Sequence, residues 1–126
     1  MKNNELNGQP NRIEKNTKIK GDIVSEADFR IDGNLEGSIK TSGKVVIGKD
    51  GVIKGIIDCA FADIEGKFNG KLDVKESLTL KTMCQLDGEV VIGKLIVESG
   101  AIFNAKCTMR SASDVKSING KIEKTA

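Results

Sequence analysis

The sequence predicts an all-β chain wound as a parallel solenoid of about six coils, and three observations carry that expectation. One short phrase, apolar, any, Gly, any, apolar, recurs at near-constant spacing. Around it, apolar residues stand two apart, the spacing that places side chains on one face of a strand. The spacings of three and four that an amphipathic helix needs are missing from the core of the chain.

The phrase opens at Ile19-Lys-Gly-Asp-Ile23 and returns at Leu35 to Ile39, Ile53 to Ile57, Phe68 to Leu72 and Leu86 to Val90. A sixth copy, Phe103 to Cys107, has alanine in place of glycine. The central residues Gly21, Gly37, Gly55, Gly70, Gly88 and Ala105 are separated by 16, 18, 15, 18 and 17 positions. A second phrase precedes five of the copies: Phe29/Ile31, Val45/Ile47, Ala62/Ile64, Leu78/Leu80 and Leu95/Val97. A strand of about five residues cannot bury its apolar face alone, whereas like units stacked in register share one core. The glycines are expected at corners of the coil, where a side chain would crowd the neighbouring backbone or φ must be positive.

The two phrases also keep a rhythm. Ile31 to Leu35 is four residues, Ile47 to Ile53 six, Ile64 to Phe68 four and Leu80 to Leu86 six, so short and long coils alternate. Asp32 and Glu65 both precede a glycine in the short coils, which reads as turn chemistry rather than as a carboxylate pair. From Val97 to Phe103 the step is six again, and the alternation ends, as befits an atypical terminal repeat. A six-residue left-handed β-helix of the acyltransferase kind is broken by the four-residue steps and lacks the histidine such enzymes use.

Composition narrows function. The 126 residues include 20 basic and 18 acidic ones, a net charge of +2 with no clustered basic window, so no nucleic-acid partner is expected. Four Phe and no Trp or Tyr leave no stacking platforms for single strands or sugars. There is no histidine, and Cys59, Cys84 and Cys107 form no CxxC pair. Catalytic residues, cofactor and metal ligands are accordingly expected to be none, and Cys107, at an apolar site of the repeat, is expected in the core. Gly-rich stretches such as Ile47 to Gly51 lack the helix of a phosphate loop. Residues 1–16 and 110–126 are polar and aperiodic and read as disordered tails around a 17–109 domain. No signal-peptide pattern follows Lys2, and a cytoplasmic location is expected.

The core resembles the bactofilins, bacterial polymer-forming cytoskeletal proteins. The resemblance rests on Thr17 to Ile23, Phe29-Arg-Ile-Asp-Gly-Asn-Leu-Glu-Gly-Ser-Ile39, Val45 to Gly55 and Ser99 to Met109, four phrases in the family's order inside one repeat. It implies a right-handed β-helix, self-assembly end to end into filaments without nucleotide, and a scaffold role in cell shape. The partners it implies are the chain itself and cell-wall enzymes or other morphogenetic proteins. Many members attach to membrane through an apolar N-terminal stretch. Met1 to Glu5 offers little apolar content, so membrane association is not favoured here, and the inner face of the cell membrane is the alternative cytoplasmic site.

A solenoid has two ends, each exposing an unpaired strand edge and the apolar residues of its last coil. Phe103, Ile102, Leu95 and Val97 are the expected polymer interface at the C-terminal coil, and Ile19 and Ile23 at the N-terminal one. Burying about five half-exposed apolar side chains yields on the order of 5 to 8 kcal/mol, against an association cost of about 4 to 15, so backbone ladder bonds must contribute. The other reading is a non-polymerising β-helix adaptor that binds a protein through its faces and tails.

Overall fold

Nine strands follow one another along residues 11–109, which are the residues the computed structural model describes. They are β1 (Asn11–Ile13), β2 (Lys18–Ser25), β3 (Phe29–Ile31), β4 (Asn34–Thr41), β5 (Lys44–Ile47), β6 (Val52–Ile64), β7 (Lys67–Leu80), β8 (Gln85–Val97) and β9 (Ile102–Met109). No helix occurs among the described residues, and none there is long and apolar enough to cross a membrane.

Every strand pair is parallel, and the pairs form two ladders. One runs β1, β3, β5 and then the second halves of β6, β7 and β8. The other runs β2, β4, the first halves of β6, β7 and β8, and β9. Each coil takes one segment from each ladder, which makes a parallel β-solenoid of six coils. In β6 and β7 the two segments run on without a break in the strand, and the register shifts where they join, between Cys59 and Phe61 and between Val74 and Ser77. The extra residues there let a continuous strand change direction.

Register turns the repeat into columns. Ile19, Leu35, Ile53, Phe68, Leu86 and Phe103 stack one above another, as do Ile23, Ile39, Ile57, Leu72, Val90 and Cys107. On the other ladder Ile13, Ile31, Ile47, Ile64, Leu80 and Val97 form a third column. The interior members are buried and make one continuous apolar core. Alternation along each strand sends the remaining residues to the surface, where mixed charges lie.

The stack begins earlier than the boundary at residue 17 expected from the sequence. Asn11–Ile13 pair with Phe29–Ile31, and Ile13 is only 4% exposed. Ile13 is the one apolar residue between Pro10 and Ile19, so the polar composition around it conceals half a coil. From Ile13 to Ile19 is six residues, and the rhythm of the six coils is therefore long, short, long, short, long, long. The tails expected over residues 1–10 and 110–126 lie outside the described residues.

The rhythm has a physical cause in how the turns stack. Each long turn is closed by an i to i+3 hydrogen bond: Thr17 N donates to Glu14 O (3.2 Å), Gly51 N to Gly48 O (2.9 Å), Cys84 N to Lys81 O (3.1 Å) and Ala101 N to Glu98 O (3.2 Å). The short turns at Gly33 and Gly66 sit over the two end carbonyls of the long turn beneath, Glu14 and Thr17 in one case, Gly48 and Gly51 in the other. A Cβ at either glycine would meet those oxygens, so the residue after Asp32 and after Glu65 has no room for a side chain.

Candidate functional site at the ends of the stack

Among the described residues the first and last coils have a neighbour on one side only. β2 pairs with β4 alone and β1 with β3 alone, which leaves an open strand edge at the N-terminal end. At the other end β9 pairs only with β8, and the segment Lys94 to Val97 pairs only with Ser77 to Leu80. Open edges of this kind present unpaired N–H and C=O groups to anything that can complete the ladder.

At the C-terminal end the core columns run out into solvent. Phe103 and Leu95 are half-buried, while Val97 is 49% exposed, Ile102 46% and Met109 54%. Phe103, Ile102, Leu95 and Val97 thus all lie in the sixth coil. Phe103, Ala105 and Leu95 still pack against the core on their inner side. Cys107 departs from the expectation that it is core: it lies opposite Val90, yet it is exposed, because no further coil covers it among the described residues. Met109, at the top of the column of Val74 and Ile92, joins the same surface. Met109 follows the repeated phrase rather than standing in it, so the repeat carries no signal for it.

The N-terminal end is less apolar. Ile19 and Ile23 are half-buried and pack against the core from the first coil, and Ile13 is already covered. Val24, 81% exposed, points outward from the same strand.

Charged groups near both ends are drawn toward the interior of the stack rather than across the end faces. Lys18 Nζ lies 3.4 Å from Glu36 Oε2 in the second coil. Glu98 reaches back to the fifth coil, where Thr82 N donates to its Oε1 (3.1 Å) and Lys81 Nζ lies 3.7 Å from its Oε2. These exposed pairs add little stability.

The corner glycines stand in one column, Gly21, Gly37, Gly55, Gly70 and Gly88, each with positive φ. At Gly37 a Cβ would run into the carbonyl oxygen of Gly21, one coil below, and the same collision repeats at Gly55, Gly70 and Gly88. The buried thiols are held in their protonated form. Burial, helped by neighbouring Asp58 and opposed by Lys75, pushes Cys59 up to about 12, and burial also raises Cys84. Among the described residues no three His, Cys, Asp or Glu side chains group as a metal site.

Comparison with known proteins gives a consistent picture. The family model for Bactofilin, described as polymer-forming cytoskeletal, matches residues 11–108. Bactofilin BacO of Myxococcus xanthus (strain DK1622) is 25% identical over 91 residues, covering 72% of this chain and 72% of its own length. No solved structure gives a significant match.

Proposed function

The chain belongs to the bactofilin family, and from that membership we propose that it is a cytoskeletal scaffold whose copies join end to end into filaments without nucleotide. The observation that carries the reading is the contrast along the core columns: residues sealed in the interior coils are left uncovered at the last one, beside open strand edges. A second copy stacked on that end covers Phe103, Ile102, Leu95 and Val97 and extends both ladders. At the opposite end Ile19 and Ile23 take the same part. The apolar contact and the ladder hydrogen bonds form together, which is why neither has to supply the whole association energy. Filaments built this way serve as a support for cell shape and for positioning cell-wall enzymes or other morphogenetic proteins in the cytoplasm. As a member of a family described as polymer-forming and cytoskeletal, the chain is read as structural rather than catalytic.

Negative-stain microscopy and pelleting of the purified full chain at several salt concentrations test this directly. Filaments are expected, and Phe103→Arg should leave a soluble β-rich rod that no longer pellets, since a guanidinium cannot be buried unpaired at the contact. A wild-type chain that stays monomeric across those conditions favours the adaptor reading instead.

A further inference from the structure

The corner glycines answer two different needs. Gly37, Gly55, Gly70 and Gly88 have φ of +144°, +143°, +143° and +124°, and each is closed on its N-terminal side by the carbonyl oxygen of the glycine below. A backbone oxygen cannot swing aside as a side chain can, so at these four corners glycine is required by the chain's own stacking. Gly21 holds the same conformation, φ +143°, yet a Cβ there would meet no atom of the described residues within 4 Å.

Where the corner residue carries a Cβ, the conformation is not kept. At the opposite end the corner residue Ala105 pairs with Gly88, also has a single neighbouring coil, and has no positive φ. Among the described residues the first corner keeps an empty side shaped like four filled ones, and those four show what fills it, a backbone carbonyl of another coil. The described chain does not supply one: β1 stacks under β3 on the other ladder, and β2 has no partner but β4. Ile19 and Ile23 flank the open corner in the same strand, and Lys18 is held toward Glu36.

We propose that the open corner at Gly21 is a seat for a backbone carbonyl from an end coil of a second copy of this chain, and that the missing side chain at residue 21 is what lets the N-terminal end pair. The proposal rests on the end-to-end reading above and adds the residue that controls one of its two contacts. A side chain at residue 21 would hold the incoming coil beyond the roughly 4.8 Å spacing at which parallel strands hydrogen-bond.

The test compares Gly21→Val with the wild-type full chain by pelleting and negative stain over a range of protein concentrations, with thermal melts at a concentration where both are dispersed. The expected result is a threshold for assembly raised at least about tenfold, which corresponds to about 1.4 kcal/mol of contact, with the melt of the dispersed protein shifted by a few degrees at most. Assembly then stops at dimers if like ends meet and at monomers if unlike ends meet, and either supports the seat. Wild-type filaments together with equally abundant Gly21→Val filaments overturn the seat while the filament reading stands. An unchanged threshold with a large drop in the dispersed melt also overturns it, because the seat then belongs to a segment of the same chain. A wild type that never assembles overturns both. Should Gly21→Val lose its β-sheet circular dichroism, Gly21→Ala carries the same expectation with a smaller side chain.

Discussion

Phe68 and Phe103 hold the same position in the repeat, each in register with Leu86, one coil below it and one above. Phe68 is 1% exposed, whereas Phe103 is only half-buried. The same contrast separates Val90, which is buried, from Cys107 directly above it. Nothing in the residue types explains the difference. In a stack each coil contacts its neighbours only, and the last coil, paired with β8 alone among the described residues, lacks the second neighbour that seals Phe68 and Val90.

The comparison breaks most sharply by truncating both phenylalanines. Phe68→Ala should destabilise the dispersed protein by about 3 to 5 kcal/mol, the range for emptying a closed core site. Phe103→Ala should cost less than about 2 kcal/mol, because solvent fills the space its side chain leaves. Urea unfolding of both variants reads this difference, and equal losses would mean that the last coil is sealed within the monomer.

The thiols sharpen the same contrast through pH. Cys59 is pushed up to about 12 in the folded chain and returns toward its ordinary value, 9.0, on unfolding. Between those values the unfolded state releases a proton that the folded state keeps, so stability is lost as pH rises, by about 1.4 kcal/mol per unit. Cys84 acts in the same direction. Urea midpoints taken from pH 8 to pH 10 should therefore fall above pH 9, and Cys59→Ala should make the fall shallower. A thiol reagent at pH 8 should label Cys107 quickly and leave Cys59 and Cys84 untouched until the chain unfolds; three equally fast thiols would refute the difference between interior and end.

The smallest expected effect lies in the long turns. Met83 holds φ 75° at the third position of its turn and is 81% exposed, while Gly100 takes the same place one coil above with φ 93°. A side chain in that region costs about 1 to 2 kcal/mol. Glycine's greater freedom in the unfolded chain takes back about 0.5 to 1. Met83→Gly should thus raise stability by up to about 1 kcal/mol, seen as a rise of a few degrees in the melting temperature.

Much of this architecture is legible in the sequence because a solenoid repeats its constraints. The glycine at five of the six corners, the residues two apart and the alternating four- and six-residue steps each restate one geometric demand, so the coils could be counted from Ile19 onward. What stayed hidden was local to the ends. Ile13 is a lone apolar residue in a polar stretch, and only its pairing with Ile31 reveals that it belongs to a strand. Cys107 stands at an apolar place of the repeat, which fixes the direction in which it points but not whether another coil covers it. Gly21 and Gly37 look alike in sequence, and only the coil beneath tells them apart.

The central claim is that filaments continue the coil stack from one copy into the next. Diffraction from aligned filaments, or the power spectrum of their images, tests it most directly. Coils stacked from copy to copy should give a strong spacing of about 4.8 Å along the filament axis, the distance between stacked strands. Six coils per copy place the subunit repeat at roughly 29 Å, or twice that if like ends meet. A 4.8 Å spacing perpendicular to the axis would mean that the copies join side by side, and would contradict it.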